Sequence, residues 1–362
     1  MDLSQKDFVL IGSLPLDTAE ANMRAVGAAF GPHVVSIPDG EAWDRRMWIG
    51  ALAWRALFNH PAIETVNGPK CVNGVEAVFP GGLQEMWQFR LKPGVSELRW
   101  APTGWRLGYA KDAVNGYSIF KALQREGVIA RDVRFQVSMP GVDSAIEAFF
   151  HDAGDWEVVK KGYEQAMRDE IACMLRYIPA SDLLIQYDAC FELIDVESPL
   201  AYAPPGDVQD SVARHVGPAR RVFGALPEEV GIGFHLCYGI FGRWPMGTVY
   251  KDMSRMVTLA NAFATGIGRR VDYVHLPVAP DASSVTTAPL ADLRVGSTKV
   301  FFGIVHGHET SGAVDLRERI ALLKKVHSDF GIARYCGFGG VTPEDFPATL
   351  QDHLMARRLL RE

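Results

Sequence analysis

Residues 8–15 read FVLIGSLP, an apolar, β-prone run that breaks at Gly-Ser and then at proline. A run of this kind, opening a chain of alternating strands and helices, starts either an open doubly wound sheet or a closed barrel. The doubly wound form usually carries GxGxxG directly after its first strand, where the turn cradles a phosphate at a helix N-terminus. Here no GxGxxG follows the first strand. That absence favours the barrel.

Further runs repeat the pattern: HVVSIPDGE (33–41), VRFQVSMPG (133–141), DLLIQYDACFE (182–192), VGIGFHLCYG (230–239), VDYVHLPVAP (271–280) and KVFFGIVHGHE (299–309). Helical spacing of apolar residues predicts helices at 17–30, 42–58, 155–176, 207–224, 251–266 and 314–329. The segment 65–110 is less regular, and is expected to hold the third strand together with an inserted loop or hairpin. The expectation is an α/β fold, a (β/α)8 TIM barrel with that insertion, forming a single domain over 1–362.

Polar residues crowd the ends of these strands, which a barrel gathers on one face. Ser13 and Asp17 follow the first strand, and Asp39 and Glu41 the second. Ser138 ends the 133–141 run, and Gln186, Asp188 and Glu192 end the next. His235 and Cys237 close the 230–239 run, His275 lies within 271–280, and His306, His308 and Glu309 close the last. Alternation puts positions i and i+2 on one face, so His235 and Cys237 can both point into the mouth. A lone histidine or cysteine in such a place is more often structural, because free cysteine is among the most buried residue types. Cys336 decides the matter, since its CGFGG context permits tight backbone beside a bound centre. Two thiolates and an imidazole suit zinc and leave a position open for chemistry, such as lowering the pKa of a substrate thiol.

Composition excludes several classes. Apolar residues make up 48%, charged residues 22%, and the net charge is −6, so no basic footprint points to nucleic acid. No apolar run reaches membrane-helix length, and the N-terminus lacks a signal-peptide pattern. The five cysteines are widely spaced and lack CxxC, which argues for a reducing compartment, the cytoplasm by default. The expected partner is a small-molecule substrate, and self-association into a homo-oligomer is compatible with the sequence.

Taken in order, IGSLP (11–15), DGE (39–41), IQYD (185–188), HLCYG (235–239), GIVHGH (303–308) and CGFGG (336–340) resemble the motifs of the C-terminal catalytic barrel of cobalamin-independent methionine synthase. That family belongs to the superfamily that also holds uroporphyrinogen decarboxylase. The resemblance implies a zinc-dependent methyltransferase activating a homocysteine-like thiol. It implies zinc ligands at His235, Cys237 and Cys336, an amino-acid subsite at Ser13, Glu41 and Asp188, and an acid–base residue at His308. Two positions depart from the pattern. Pro277 stands where the family has a ligating glutamate, which leaves His275 two residues earlier, water or substrate to complete the site, and Ala189 stands where it has a second acid.

Plainer roles compete with these. Asp188 could make a turn bond, Glu41 could cap the following helix, and His308 could lie in a surface loop. The tryptophans Trp43, Trp48, Trp87, Trp100 and Trp105 are mostly core or loop anchors. The altered positions also admit a lyase, decarboxylase or demethylase using Asp188, His306 and His308. A non-catalytic binding role is the remaining alternative.

Overall fold

The computed structural model describes residues 2–42, 45, 49–58, 60–68, 71–72, 75–76, 87–100, 107–198, 206–238, 251–307 and 313–362. The first strand of the main sheet is β1 (Ser36–Pro38). After it come two small antiparallel pairs: β2 (Ile63–Asn67) with β5 (Gln88–Leu91), and β3 (Cys71–Val72) with β4 (Val75–Glu76). The main sheet resumes with β6 (Arg134–Pro140), β7 (Leu183–Ala189), β8 (Gly231–Leu236), β9 (Tyr273–Pro277), β10 (Lys299–Val305) and β11 (Gly331–Arg334). Its order is β1-β6-β7-β8-β9-β10-β11, and every pairing is parallel.

Two expectations need correction. The 65–110 region supplies the predicted hairpin but, among the described residues, no strand of the main sheet, since β1 pairs directly with β6. Among the described residues the sheet has seven strands rather than eight. The run at 8–15 is not a regular strand, although Phe8 bridges Val34 beside β1 and Ile332 in β11, so the sheet curls and both its edges reach one residue. The cause lies in where the next carbonyls point. Gln136 Nε2 donates to the Leu10 carbonyl at 2.7 Å, and Ser138 Oγ to that of Ile11 at 3.0 Å, joined there by Gln186 Nε2. Side chains from β6 and β7 thus take the bonds that a neighbouring strand would have taken.

Period-two alternation sorts the sheet into an inner and an outer core. Val9, Ile11, Val35, Leu184, Tyr273, Phe301 and Ala333 pack together on the inner side. Ile185, Tyr187, Phe234 and Phe302 face the helices, with Phe234 stacked on Phe263 at 4.4 Å between centroids. Two glycines make room for the inner aromatics. A Cβ at Gly233 would stand 2.1 Å from the Tyr273 ring, and one at Gly331 would stand 2.2 Å from Phe301.

Helices Ala19–Phe30, Trp156–Met174, Val208–Phe223, Ser254–Gly266 and Ala313–Lys324 fall where the spacing predicts them. Thr18 caps the first by accepting from Ala21 N, and Asp207 caps the third with a capping box. Within the predicted 42–58 helix, the described residues form a short turn Ile49–Leu52 that continues into a wide π-type turn, Ala53–Leu57. No helix among the described residues is long and apolar enough to cross a membrane.

Candidate metal centre

His235 is the next-to-last residue of β8, and Cys237 follows directly, its N–H still bonded to the Ala189 carbonyl at 3.2 Å. Extended backbone continuing past the strand end keeps both side chains on the inner face. Cys336 arrives from β11. Tyr335 N donates to the Val305 carbonyl at 3.2 Å, and Arg334 bonds the Gly337 carbonyl at 2.5 Å, so the turn after the strand is tied at both ends.

The three residues meet. Cys237 Sγ lies 3.5 Å from Cys336 Sγ, and Cys336 Sγ lies 3.7 Å from His235 Nε2. All three donor atoms lie within 4.8 Å of one another. Zinc–sulfur bonds near 2.3 Å in a tetrahedron place two sulfurs about 3.8 Å apart. Both measured spacings fall within about 0.3 Å below that figure, and the soft donor set is the one zinc prefers, so the residues fit the ion.

The electrostatics agree. Contact with Cys237, then burial, pushes the Cys336 thiol well above its ordinary value. Burial, and secondarily His275, pushes His235 well below its own. A bound cation reverses the first effect and favours the neutral imidazole already present. His275 stands behind His235 rather than beside the sulfurs: its Nδ1 is 2.7 Å from His235 Nδ1, and its Nε2 is 3.0 Å from the Arg334 carbonyl.

The carboxylate side of the mouth adjoins this centre. Phe338 N donates to the Ser13 carbonyl at 2.8 Å, and Gly337 lies against Ser13, where a Cβ would stand 3.4 Å from that of Ser13. Ser13 Oγ in turn donates to Glu41 Oε2 at 2.5 Å. Glu41 holds φ +51°, in the left-handed region that non-glycine residues rarely occupy, after Gly40 at +82°. Asp39 Oδ1 accepts from Glu41 N at 2.9 Å, and Leu14 N donates to the Gly40 carbonyl at 2.9 Å, so the turn is held against its strain. Burial raises the Glu41 carboxyl to about 7, against the opposing Ser13 hydrogen bond. A narrow cleft beside it is lined by Arg45, Arg55, Leu107, Tyr109, Ser138 and Pro140.

Asp188 is buried, and its Oδ1 accepts from Gln186 Nε2 at 2.7 Å. It stands opposite His235 across the β7–β8 ladder, and His235 stands opposite His275 across β8–β9. Asp188, His235 and His275 therefore share one level of the sheet. His306 stacks on Tyr335 at 5.2 Å between centroids, and burial together with the Arg319 and Arg334 charges lowers it to about 3. His308 and Glu309 lie outside the described residues, as do Trp43, Trp48 and Trp105. Trp100 is a core anchor, its Nε1 donating to the Ala56 carbonyl at 3.0 Å.

Sequence reasoning did not anticipate the His235–His275 contact or the inward role of Gln136. The register of the two histidine strands was the missing signal. Tyr109, half-buried beside Glu41, was overlooked because its helix, Tyr109–Arg125, was not predicted.

No protein-family model matches the chain, and no curated protein matches it. Solved structures do. A structure described as a B12-independent methionine synthase from Shewanella sp. W3-18-1 in complex with selenomethionine superposes with a TM-score of 0.61. The match has 14% identity and covers 99% of this chain and 98% of that one. A putative vitamin-B12-independent methionine synthase from Listeria monocytogenes superposes with a TM-score of 0.53 at 13% identity, over 94% of this chain and 86% of that one. Over nearly its whole length, the chain shares its fold with structures described as B12-independent methionine synthases.

Proposed function

We propose that the protein is a zinc-dependent methyltransferase that activates a small, homocysteine-like thiol for methylation by a methylated small-molecule donor. The observation that carries this reading is the convergence of one imidazole nitrogen and two sulfurs within 4.8 Å, next to the Ser13–Glu41 pair. The descriptions of the two structural neighbours add support for a thiol acceptor.

His235, Cys237 and Cys336 would hold the ion, leaving a fourth position for the substrate sulfur. Zinc bound there supplies the Lewis acidity that keeps a thiol ionised near neutral pH. Glu41 is placed to receive an ammonium group, and an ammonium beside it would favour its ionised form. The glycine-rich turn after Cys336 offers donors to a carboxylate, and so does the Ser13 hydroxyl once its one hydrogen turns from Glu41. Asp188, oriented by Gln186, adds a second acceptor for the ammonium group. The thiolate sulfur then bonds the methyl carbon while the carbon–donor bond breaks, its electron pair leaving with the donor. His308 is the residue assigned to protonate that leaving group.

The test is a methyl-transfer assay on the zinc-loaded chain, with homocysteine and other small thiols against folate, corrinoid and simpler methylated donors. A methylated thiol product, lost at least about 100-fold in Cys237→Ala, is the expected result. Turnover of methoxylated or carboxylated metabolites in the absence of any thiol, with no thiol methylation, would overturn the reading.

A further inference from the structure

His275 is fully buried in β9, and both of its ring nitrogens have partners. Its Nε2 lies 3.0 Å from the Arg334 carbonyl oxygen, which can only accept. The ring has a second carbonyl neighbour, Leu236, and the 3.0 Å contact with Arg334 is the one that assigns the hydrogen to Nε2 of His275. A neutral imidazole carries one N–H and one lone pair, so with Nε2 donating to Arg334 the lone pair is on Nδ1. That lone pair faces Nδ1 of His235 at 2.7 Å, and His235 must be the donor. A neutral His235 protonated at Nδ1 has its lone pair on Nε2, the atom 3.7 Å from the Cys336 sulfur. Each proton assignment fixes the next.

We propose that His275 is a positioning residue: it locks His235 in the Nδ1–H tautomer, presents His235 Nε2 as a bare ligand nitrogen, and couples it to the strand that delivers Cys336. The proposal rests on reading His235, Cys237 and Cys336 as the metal site. The relay runs from β8 to β9 and then over β10 to the last residue of β11, two positions before Cys336. Gly303 of β10 makes the crossing possible, because a Cβ there would stand 2.7 Å from His275 Nε2 and 3.0 Å from the Arg334 oxygen. His275 is thus a support of the ligand set rather than a fourth ligand. Outer partners of this kind typically change metal affinity by about 10- to 100-fold.

The first measurement is nitrogen-15 NMR of the imidazoles in the metal-free wild-type chain. It should show hydrogen on Nδ1 of His235 and on Nε2 of His275. It needs neither zinc nor methyl transfer, so it stands apart from the functional reading. The second measurement is zinc affinity by chelator competition. His275→Leu should weaken binding by about 10- to 100-fold. His275→Gln, whose side chain offers an acceptor to His235 and a donor to Arg334, should recover most of that loss. A hydrogen on Nε2 of metal-free His235 would overturn the proposal, as would a folded His275→Leu chain with unchanged zinc affinity. If the Leu variant fails to fold, the wild-type tautomer and the Gln variant decide. A wild-type chain that takes up no zinc would instead sink the functional reading, with the tautomer result still deciding this one.

Discussion

The sulfurs of Cys237 and Cys336 stand 3.5 Å apart although 99 positions separate them in the chain. The hydrogen bond between them is the leading cause of the raised Cys336 thiol, followed by burial and then by the opposition of two like charges this close. A dication between them removes the conflict. Without one, the sulfurs need to approach by only about 1.5 Å to form a disulfide.

Peroxide should therefore distinguish the two states. In metal-free protein the two thiols should be oxidised to one disulfide while hydrogen peroxide is reduced to two waters. Zinc-loaded protein should keep both thiols. Alkylation and mass measurement under denaturing conditions count them. Equal oxidation with and without zinc would contradict a shared site.

Glu41 gives a pH signature. Its folded pKa is raised from 4.5 to about 7, chiefly by burial, so folding favours its protonated form. The stability it contributes is complete below about pH 4.5 and is lost as pH rises through about 7. Replacing it with Gln removes a titrating group, so between pH 4.5 and 8 the wild type should lose up to roughly 3 kcal/mol relative to Glu41→Gln. Urea unfolding at several pH values measures the difference. Parallel pH profiles for the two proteins would show that the carboxyl is not shifted.

The same group should control substrate binding. Affinity for an amino-acid thiol should rise as pH passes through about 7, where Glu41 ionises and can pair with the ammonium. Glu41→Gln should bind at least about 10-fold more weakly and lose that pH dependence. Calorimetry of homocysteine binding reads both, and an unchanged affinity in the variant would remove Glu41 from the subsite.

Gln136 tests why the first strand is irregular. Its Nε2 serves the Leu10 carbonyl, and its Oε1 accepts from Ser36 Oγ at 2.6 Å. Gln136→Leu leaves both buried groups without this partner and should cost about 1–3 kcal/mol. Denaturant unfolding with an unchanged slope checks this. A loss below about 0.5 kcal/mol would mean that the inward carbonyls do not depend on the amide.

Much of this was legible in the sequence. The runs at 133–141, 182–192, 230–239, 271–280 and 299–309 hold β6 to β10, because each is long enough to show alternation or a buried apolar run. The H-x-C spacing put His235 and Cys237 on one face, and Cys336, named from its glycine-rich context and the resemblance, lies within reach of both. β11 escaped notice because Gly331–Arg334 is only four residues long and runs straight into the CGFGG turn. The helix Phe346–Arg361 was missed as well, although Leu350, His353 and Leu359 mark its buried face. The regularity expected at 8–15 failed for a tertiary reason, since the bonds that displace it come from glutamines more than 120 positions away. His275 looked like a substitute ligand because sequence fixes its strand but not its register against His235.

Zinc content is the most direct measurement of the central claim. Protein purified without chelators, and the apo chain reloaded with zinc, should each carry about one zinc per chain, with absorption edges showing two sulfur bonds near 2.3 Å and one nitrogen. Cys237→Ala and Cys336→Ala chains that still melt cooperatively should not hold it. A wild-type chain that binds no zinc when supplied, or cysteine variants that bind it as tightly as the wild type, would contradict the account.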